Sequence, residues 1–435
     1  MQMKNITKQN KCLKISPYLF ISEFDDETIV ATNLSTGEVL QLTKNEADML
    51  RGAVPDSNGE FEKAGFLVSD ADLIRQRVIE RHGKACGFPY IFNLTLLPTL
   101  SCNFSCRYCF EKGAQQRRMN DDIVNRVLKF VGLQAHRHLR TDLSWFGGEP
   151  LLEIDRIADV LPKIRAIVLS SGCEFSSNIT TNGYLLDKDT AKLLRDLDIR
   201  FVQVTLDGNK EVHDKNRITK NNEGTFDRIF GNLLTFLGIF ETGIITLRVN
   251  AEYETVGSII DTLEYIPSEF RKRVSIHLHH IMDADCPNSF SDEFSELIKH
   301  IYRKIRLLGF DIAVDHYLDP GPSAYCYAER VTSAVIDPGG FMFKCAYTDF
   351  SEKERVGFLD QEGTIQPIGE FGMEWKELIS IEPDKCLKCN YLPICGFGCP
   401  RLRITGANDT RCKNRFKFLP DTLAAMGNNS GFPRN

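Results

Sequence analysis

The chain has 435 residues, 42% hydrophobic and 26% charged, which excludes default disorder and leaves room for two or three domains with ample core. Its 53 basic and 59 acidic side chains give a formal charge of −6 without long single-sign blocks, so no nucleic-acid-binding footprint is present. No apolar run approaches the roughly 18 residues of a membrane span, and the first residues, MQMKNITKQNKCLKIS, carry no apolar h-region or small-residue cleavage site; the expectation is a cytoplasmic protein without a membrane partner.

In chain order, IVATNLSTGEVLQL reads as a β-hairpin turning at Ser35, Thr36 and Gly37. TKNEADMLRG follows as a helix in which Thr43 and Glu46 have capping-box spacing. A strand-like AGFLVS and the polar helix ADLIRQRVIERHG complete a small α+β domain over residues 1–85. From Ile91 to about Asp311, β-branched runs alternate with amphipathic stretches. Strands are expected from Phe92, Asp142, Glu174, Phe201, Ile244 and Val274, with helices from Asp121, Ile154, Asp187, Thr225, Val256 and Asp292. Six such units with right-handed crossovers predict an α/β fold, a partial (β/α)6 TIM-type barrel over residues 92–312 whose reactive face lies at the strand C-termini. Residues 320–435 open with PGPSAY, are rich in Cys, Gly and Pro, show little periodicity and would need metal to fold.

The fourteen cysteines are unevenly placed. In a reducing compartment a dense set of thiols suits metal better than disulfides. Cys12, Cys86, Cys173 and Cys286 stand alone and read as small buried hydrophobes or unpaired thiols. Cys102, Cys106 and Cys109, in CNFSCRYC, let one tight loop just after the first barrel strand present three thiolates to one centre. A structural zinc would want a fourth protein ligand nearby, and none follows closely. An iron-sulfur cluster with three protein thiolates keeps one iron open. Further on, CLKCNYLPICGFGC (CX2CX5CX3C) stands between Cys326 and Cys345 on one side and Cys412 on the other; seven cysteines in this order suit two sites rather than one zinc knuckle.

The CX3CX2C spacing, with Tyr108 before the third cysteine and a place after the first strand of a βα barrel, resembles the radical S-adenosylmethionine (SAM) enzymes. That resemblance implies a [4Fe-4S] cluster on Cys102, Cys106 and Cys109 whose open iron chelates the amino and carboxylate groups of SAM, and reductive cleavage of SAM to a 5′-deoxyadenosyl radical. WFGGEP after the second strand is similar to the family's GGEP motif, implying that Gly147, Gly148 and Glu149 receive the SAM ammonium. TTNGY, with Asn182, and VTLDGNKEVHDKNR, with Thr205, Asp207 and Arg217, also resemble the family and imply polar contacts to SAM ribose and carboxylate.

The C-terminal string resembles the SPASM extension, which implies two auxiliary [4Fe-4S] clusters and three clusters in all. Carried over by position, Cys386, Cys389, Cys395 and Cys412 hold the outer cluster, and Cys326, Cys345 and Cys399 the inner one. The family's eighth cysteine is missing here, since ERVTSAV follows YCYA. The inner cluster then has an open iron able to take a substrate thiolate, or is completed by a distant residue such as Cys286 or by a non-cysteine ligand.

SPASM enzymes mostly modify peptides or proteins. The N-terminal domain is similar to winged-helix-like units that hold a leader peptide by strand addition. The sulfatase-maturing subfamily has an Asp directly after the second cysteine of the extension, where this chain has Ala346 and then Asp349 three residues on. The reading is therefore a maturase of ribosomally made precursor peptides that forms an intrapeptide cross-link, a thioether ahead of a carbon-carbon bond. It would use SAM and an electron donor such as flavodoxin or ferredoxin. The alternatives are sulfatase maturation, peptide epimerisation, or an inactive cluster-bearing scaffold. No residue is singled out as a catalytic acid or base.

Overall fold

In a computed structural model of the chain, the described residues are 13–23, 29–87, 90–111, 116–280, 292–312, 325–368, 384–404 and 419. Cys12, Cys286 and Cys412 lie outside them. Strands β1 (Leu19–Glu23), β2 (Ile29–Asn33) and β3 (Val39–Leu42) form an antiparallel sheet with β2 in the middle. Helix α1 (Lys44–Arg51) starts at Thr43, whose hydroxyl accepts from the Glu46 N–H while the Glu46 carboxylate accepts from the Thr43 N–H, so the capping box is formed. Helix α2 (Ala71–Gly87) leaves this unit, and its Val78 joins the main core of the molecule.

Strands β4 (Ile91–Leu96), β5 (Arg140–Trp145), β6 (Glu174–Thr181), β7 (Phe201–Thr205), β8 (Ile244–Ala251) and β9 (Val274–His280) pair in parallel in that order. Helices α3 (Asp121–Ala135), α4 (Ile154–Ser170), α5 (Lys188–Asp196), α6 (Phe226–Ile239), α7 (Ile259–Glu264) and α8 (Asp292–Leu307) alternate with them. The apolar faces of the helices bury residues such as Val127, Ile164, Leu194 and Leu233 against the sheet, while Leu94, Leu143, Ile179, Val204 and Leu247 fill it. This is the partial TIM-type barrel expected from the periodicity, because parallel strands need crossovers and the crossovers cover the sheet. No described helix is long and apolar enough to cross a membrane.

The sheet does not stop where the six repeats stop. A short strand β10 (Asp311–Ile312) extends it beyond β9, and β11 (Ser333–Ile336) pairs in parallel with β4, Ser333 opposite Asn93 and Ile336 opposite Leu96. From there β12 (Phe341–Phe343), β13 (Gly357–Leu359) and β14 (Ile365–Pro367) continue antiparallel. Residues 325–368 are thus more regular than their composition suggests. Three short helices follow, α9 (Asp384–Leu387), α10 (Leu392–Cys395) and α11 (Pro400–Ile404). The N-terminal unit rests on them: Phe20 stacks on Tyr391 at 5.1 Å, and Arg75 donates to the Leu387 carbonyl at 3.2 Å.

Candidate active site

The three cysteines lie on the loop that leaves β4. Its two ends are tied together, Leu100 N–H donating to the Arg117 carbonyl and Met119 N–H to the Pro98 carbonyl. Its middle is zipped to the segment after β7, with Ser105 donating to Ile218, Arg107 to Asn216, and Lys220 back to Asn103. Its underside lies on the Gly-Gly turn after β5. A Cβ on Gly147, which has φ +119°, would stand 2.3 Å from the Thr99 oxygen, and one on Gly148 would stand 2.3 Å from the Ser101 oxygen. Only glycine permits that approach. Glu149 N–H then donates to the Ser101 carbonyl at 2.9 Å.

These contacts leave a cavity of about 340 Å³ at the strand C-termini. Cys102, Cys106, Cys109, Tyr108, Gly147, Gly148, Asn182, Thr205 and Arg217 all line it. Asn182 Nδ2 donates to Asn103 Oδ1 at 2.8 Å and lies 3.9 Å from Cys102 Sγ. Burial pushes the Cys102 thiol up to about 12, and Cys109 upward as well. Buried thiols become thiolates readily beside a strong cation, so a donor set of three cysteines on one loop fits iron.

Two expected contacts lie behind the wall rather than on it. Glu149 is fully buried; Oε1 accepts from the Thr181 hydroxyl at 2.6 Å and the Leu151 N–H at 3.0 Å, and Oε2 from the Asn182 N–H at 2.7 Å. Burial pushes its carboxyl up, and these three donors pull it back. Three donors tie it to the turn after β5 and to the end of β6, and it does not line the cavity, so its contacts shape the turn. Asp207 is 1% exposed and likewise turned inward. It accepts from Tyr108 Oη and from Asn250 N and Nδ2, the last two at 3.1 and 3.2 Å. Tyr108 Oη also accepts from Arg217 at 3.0 Å and from Asn250 Nδ2 at 2.9 Å. Asp207 therefore anchors Asn250 and Tyr108, and Tyr108 in turn holds Arg217 at the cavity.

Sequence reasoning missed Arg248 and Asn250, which end β8 and line the cavity; the rule that chemistry gathers at strand C-termini would have found them. It also missed Glu111, two residues after Cys109, and Tyr347, for which no sequence signal exists. Burial raises Glu111 to about 8, and its Oε2 has no hydrogen-bond partner among the described residues. The same holds for Arg217 Nε. A buried acidic oxygen and a buried guanidinium nitrogen, both unsatisfied and both near Cys109, are complementary to a zwitterionic amino-acid group such as the one SAM carries.

In the C-terminal segment, Cys345 lies within electrostatic reach of Cys326 and Cys399. Cys386 and Cys389 share a turn closed by a 3.0 Å backbone bond, and Cys395 ends α10. The Tyr347 N–H donates to Cys345 Sγ at 3.3 Å, and the Tyr347 ring meets Phe110, next to Cys109, at 4.3 Å. Cys345 thus adjoins the cavity through one tyrosine.

A partial barrel whose first loop brings three thiols to a polar cavity is the arrangement of the radical SAM enzymes, and residues 96–266 match the model of the Radical SAM superfamily; the chain carries a radical SAM domain and is an enzyme of that class. Membership implies SAM and a [4Fe-4S] cluster. The chain is 20% identical over 354 residues to a serine-type anaerobic sulfatase-maturating enzyme of Klebsiella aerogenes, covering 78% of this chain and 87% of that one. Among solved structures it is similar to native anSMEcpe with bound AdoMet and Cp18Cys peptide, with a TM-score of 0.60, 19% identity and coverage of 78% and 99%. It is also similar to Streptococcus suis SuiB bound to the precursor peptide SuiA, with a TM-score of 0.51, 15% identity and coverage of 92% and 100%.

Proposed function

We propose that this chain is a peptide-modifying radical SAM maturase that installs an intrapeptide cross-link, a thioether in the first instance, in a ribosomally made precursor. When bound, the cluster on Cys102, Cys106 and Cys109 and SAM supply a 5′-deoxyadenosyl radical that removes a hydrogen atom from the substrate. The residues of the chain bind and orient. Arg217 and Arg248 would take the SAM carboxylate, Glu111 its ammonium, and Asn182 and Thr205 its ribose hydroxyls, while the Gly147–Gly148 turn sets the cysteine loop. Cys386, Cys389, Cys395 and Cys412 would hold the outer auxiliary cluster, and Cys326, Cys345 and Cys399 the inner one.

The observation that carries the peptide reading is the three-stranded sheet seated on the cysteine segment with β3 at its edge, a site for strand addition by a leader. The SuiB fold spans 92% of this chain against 78% for anSMEcpe, which supports a leader-binding unit ahead of the barrel. Ala346 in place of an acid argues against formylglycine formation, and Asp349, the next acid along, does not line the cavity. The test is coexpression with a short peptide encoded beside the gene, followed by mass spectrometry. A loss of two hydrogens together with one thiol that no longer alkylates supports the thioether. A hydrazine-reactive aldehyde would indicate formylglycine, and an unchanged mass epimerisation; either overturns the cross-link.

A further inference from the structure

Cys86, which sequence spacing leaves as an isolated packing thiol, sits at a junction of three elements. The last two turns of α2 clamp the turn that carries Cys326. The His82 ring meets Tyr325 edge-on at 4.8 Å, His82 Nε2 lies 3.2 Å from Glu329 Oε2, and the Val331 N–H donates to the Cys86 carbonyl at 3.1 Å. The loop from Cys395 to Cys399 presses on the same place. A Cβ on Gly396 would stand 2.6 Å from the Tyr325 ring and 2.9 Å from the His82 ring, and Arg403, one helical turn after Cys399, pairs with Glu329. Cys86 itself is fully buried, with its Sγ 3.5 Å from His82 Nε2 and within electrostatic reach of Cys326.

The charges around this junction are wrong for a divalent ion held by His82, Cys86 and Glu329 alone. Both Glu329 oxygens are already taken, one by Arg403 and one by His82. Among the described residues Lys344, adjacent to Cys345, donates to neutral acceptors, the Arg330 and Ser333 carbonyls and the Ser333 hydroxyl. Cys326 and Cys86 are the sulfur groups within its electrostatic reach. A cationic surround with converging thiols suits an anionic guest, and an iron-sulfur cluster with four thiolates is one.

We propose that Cys86, delivered by the helix that leaves the N-terminal unit, is the fourth ligand of the inner auxiliary cluster held by Cys326, Cys345 and Cys399. This rests on the two-cluster reading of the C-terminal segment. It makes the inner cluster a closed one, unable to take a substrate thiolate, and it makes the N-terminal unit part of a metal site. The ligand exchange is redox-neutral: the Cys86 S–H proton leaves to solvent as the sulfur–iron bond forms.

The experiment uses the full chain with Cys102, Cys106 and Cys109 replaced by Ala, so that only auxiliary clusters remain, reconstituted anaerobically with iron and sulfide. This parent should hold about eight irons, and the electron paramagnetic resonance spectrum of its dithionite-reduced form should not change with added cyanide. Adding Cys86→Ala should do one of three things: lower the iron content by about one atom and give an oxidised [3Fe-4S] signal, lower it by about four atoms, or keep the iron and give a reduced spectrum that cyanide changes; Cys173→Ala and Cys286→Ala should change nothing. Cyanide sensitivity of the parent, which requires no folding of a variant, overturns the proposal by showing an open iron. So does a Cys86→Ala spectrum and iron content equal to the parent's, or loss of one zinc with all iron retained. A parent holding only about four irons overturns the two-cluster reading itself, and the two failures are therefore distinguishable.

Discussion

Replacing Glu149 by Gln separates two jobs for the same carboxylate. If Glu149 serves SAM directly, as the GGEP resemblance implies, the uncharged variant should lose SAM affinity and keep its stability. The structure points the other way. The carboxylate accepts from three donors, two on Oε1 and one on Oε2. A glutamine can keep the Oε1 pair at most, and its amide nitrogen then faces the Asn182 N–H, donor against donor. Losing one bond to a charged acceptor costs about 1.5–3 kcal/mol, and leaving a buried N–H unsatisfied brings the total to about 2–4 kcal/mol. For a barrel of this size each kcal/mol moves the melting temperature by roughly 2–4 °C, so the expected drop is roughly 4–16 °C. The assay is thermal unfolding of cluster-loaded protein without SAM, followed anaerobically by circular dichroism, alongside SAM binding. A variant that melts within about 1 °C of the parent and binds SAM tenfold more weakly would refute the positioning role.

Replacing Cys102, Cys106 and Cys109 together by Ala should remove about four irons per chain and all 5′-deoxyadenosine formation under dithionite while the remaining iron stays; persistent SAM cleavage would count against their assignment. Gly148→Ala places a methyl 2.3 Å from the Ser101 oxygen and so must displace the cysteine loop; overpacking of about 1–3 kcal/mol should appear as lost iron at the SAM-binding cluster, read by iron analysis. Glu111→Gln leaves the cavity without its unpartnered carboxylate oxygen and should weaken SAM binding by about tenfold or more, measured by calorimetry, with the melting temperature unchanged or raised.

The barrel was legible because its signal is local. Each of the six strands begins within two residues of the sequence expectation, as with β4 at Ile91 and β5 at Arg140. β11 was not, because its four residues Ser333–Ile336 are all buried and show no alternation, and their partners Asn93–Leu96 lie in β4, far away in sequence. The cavity was legible as far as motif residues follow strands. Glu149 and Asp207 illustrate the limit: a carboxylate that serves backbone and side-chain donors inside the wall is written in the sequence like one that faces the ligand. Cysteine spacing identifies ligands that share a loop, and it is blind to Cys86, which reaches the Cys326 turn only through tertiary packing.

The same packing bears on how the N-terminal unit can be tested. Deleting residues 1–87 looks like a clean removal of peptide recognition, but it also strips Tyr18 and Val78, both buried, the Phe20–Tyr391 stack and the Arg75–Leu387 bond from the cysteine segment. Each large apolar side chain withdrawn costs about 1.5–3 kcal/mol of burial. The deletion should therefore lower iron content and thermal stability as well as leader binding. A recognition test has to leave the packing in place. A photo-crosslinking amino acid at Gln41, exposed on β3, meets that condition. It should capture the leader of the precursor peptide, whereas the same group at Lys163 on the exposed face of α4 should not. Truncated protein with full iron and an unchanged melt would show the unit to be separable. Equal capture at Gln41 and Lys163 would show that β3 is not where the leader adds.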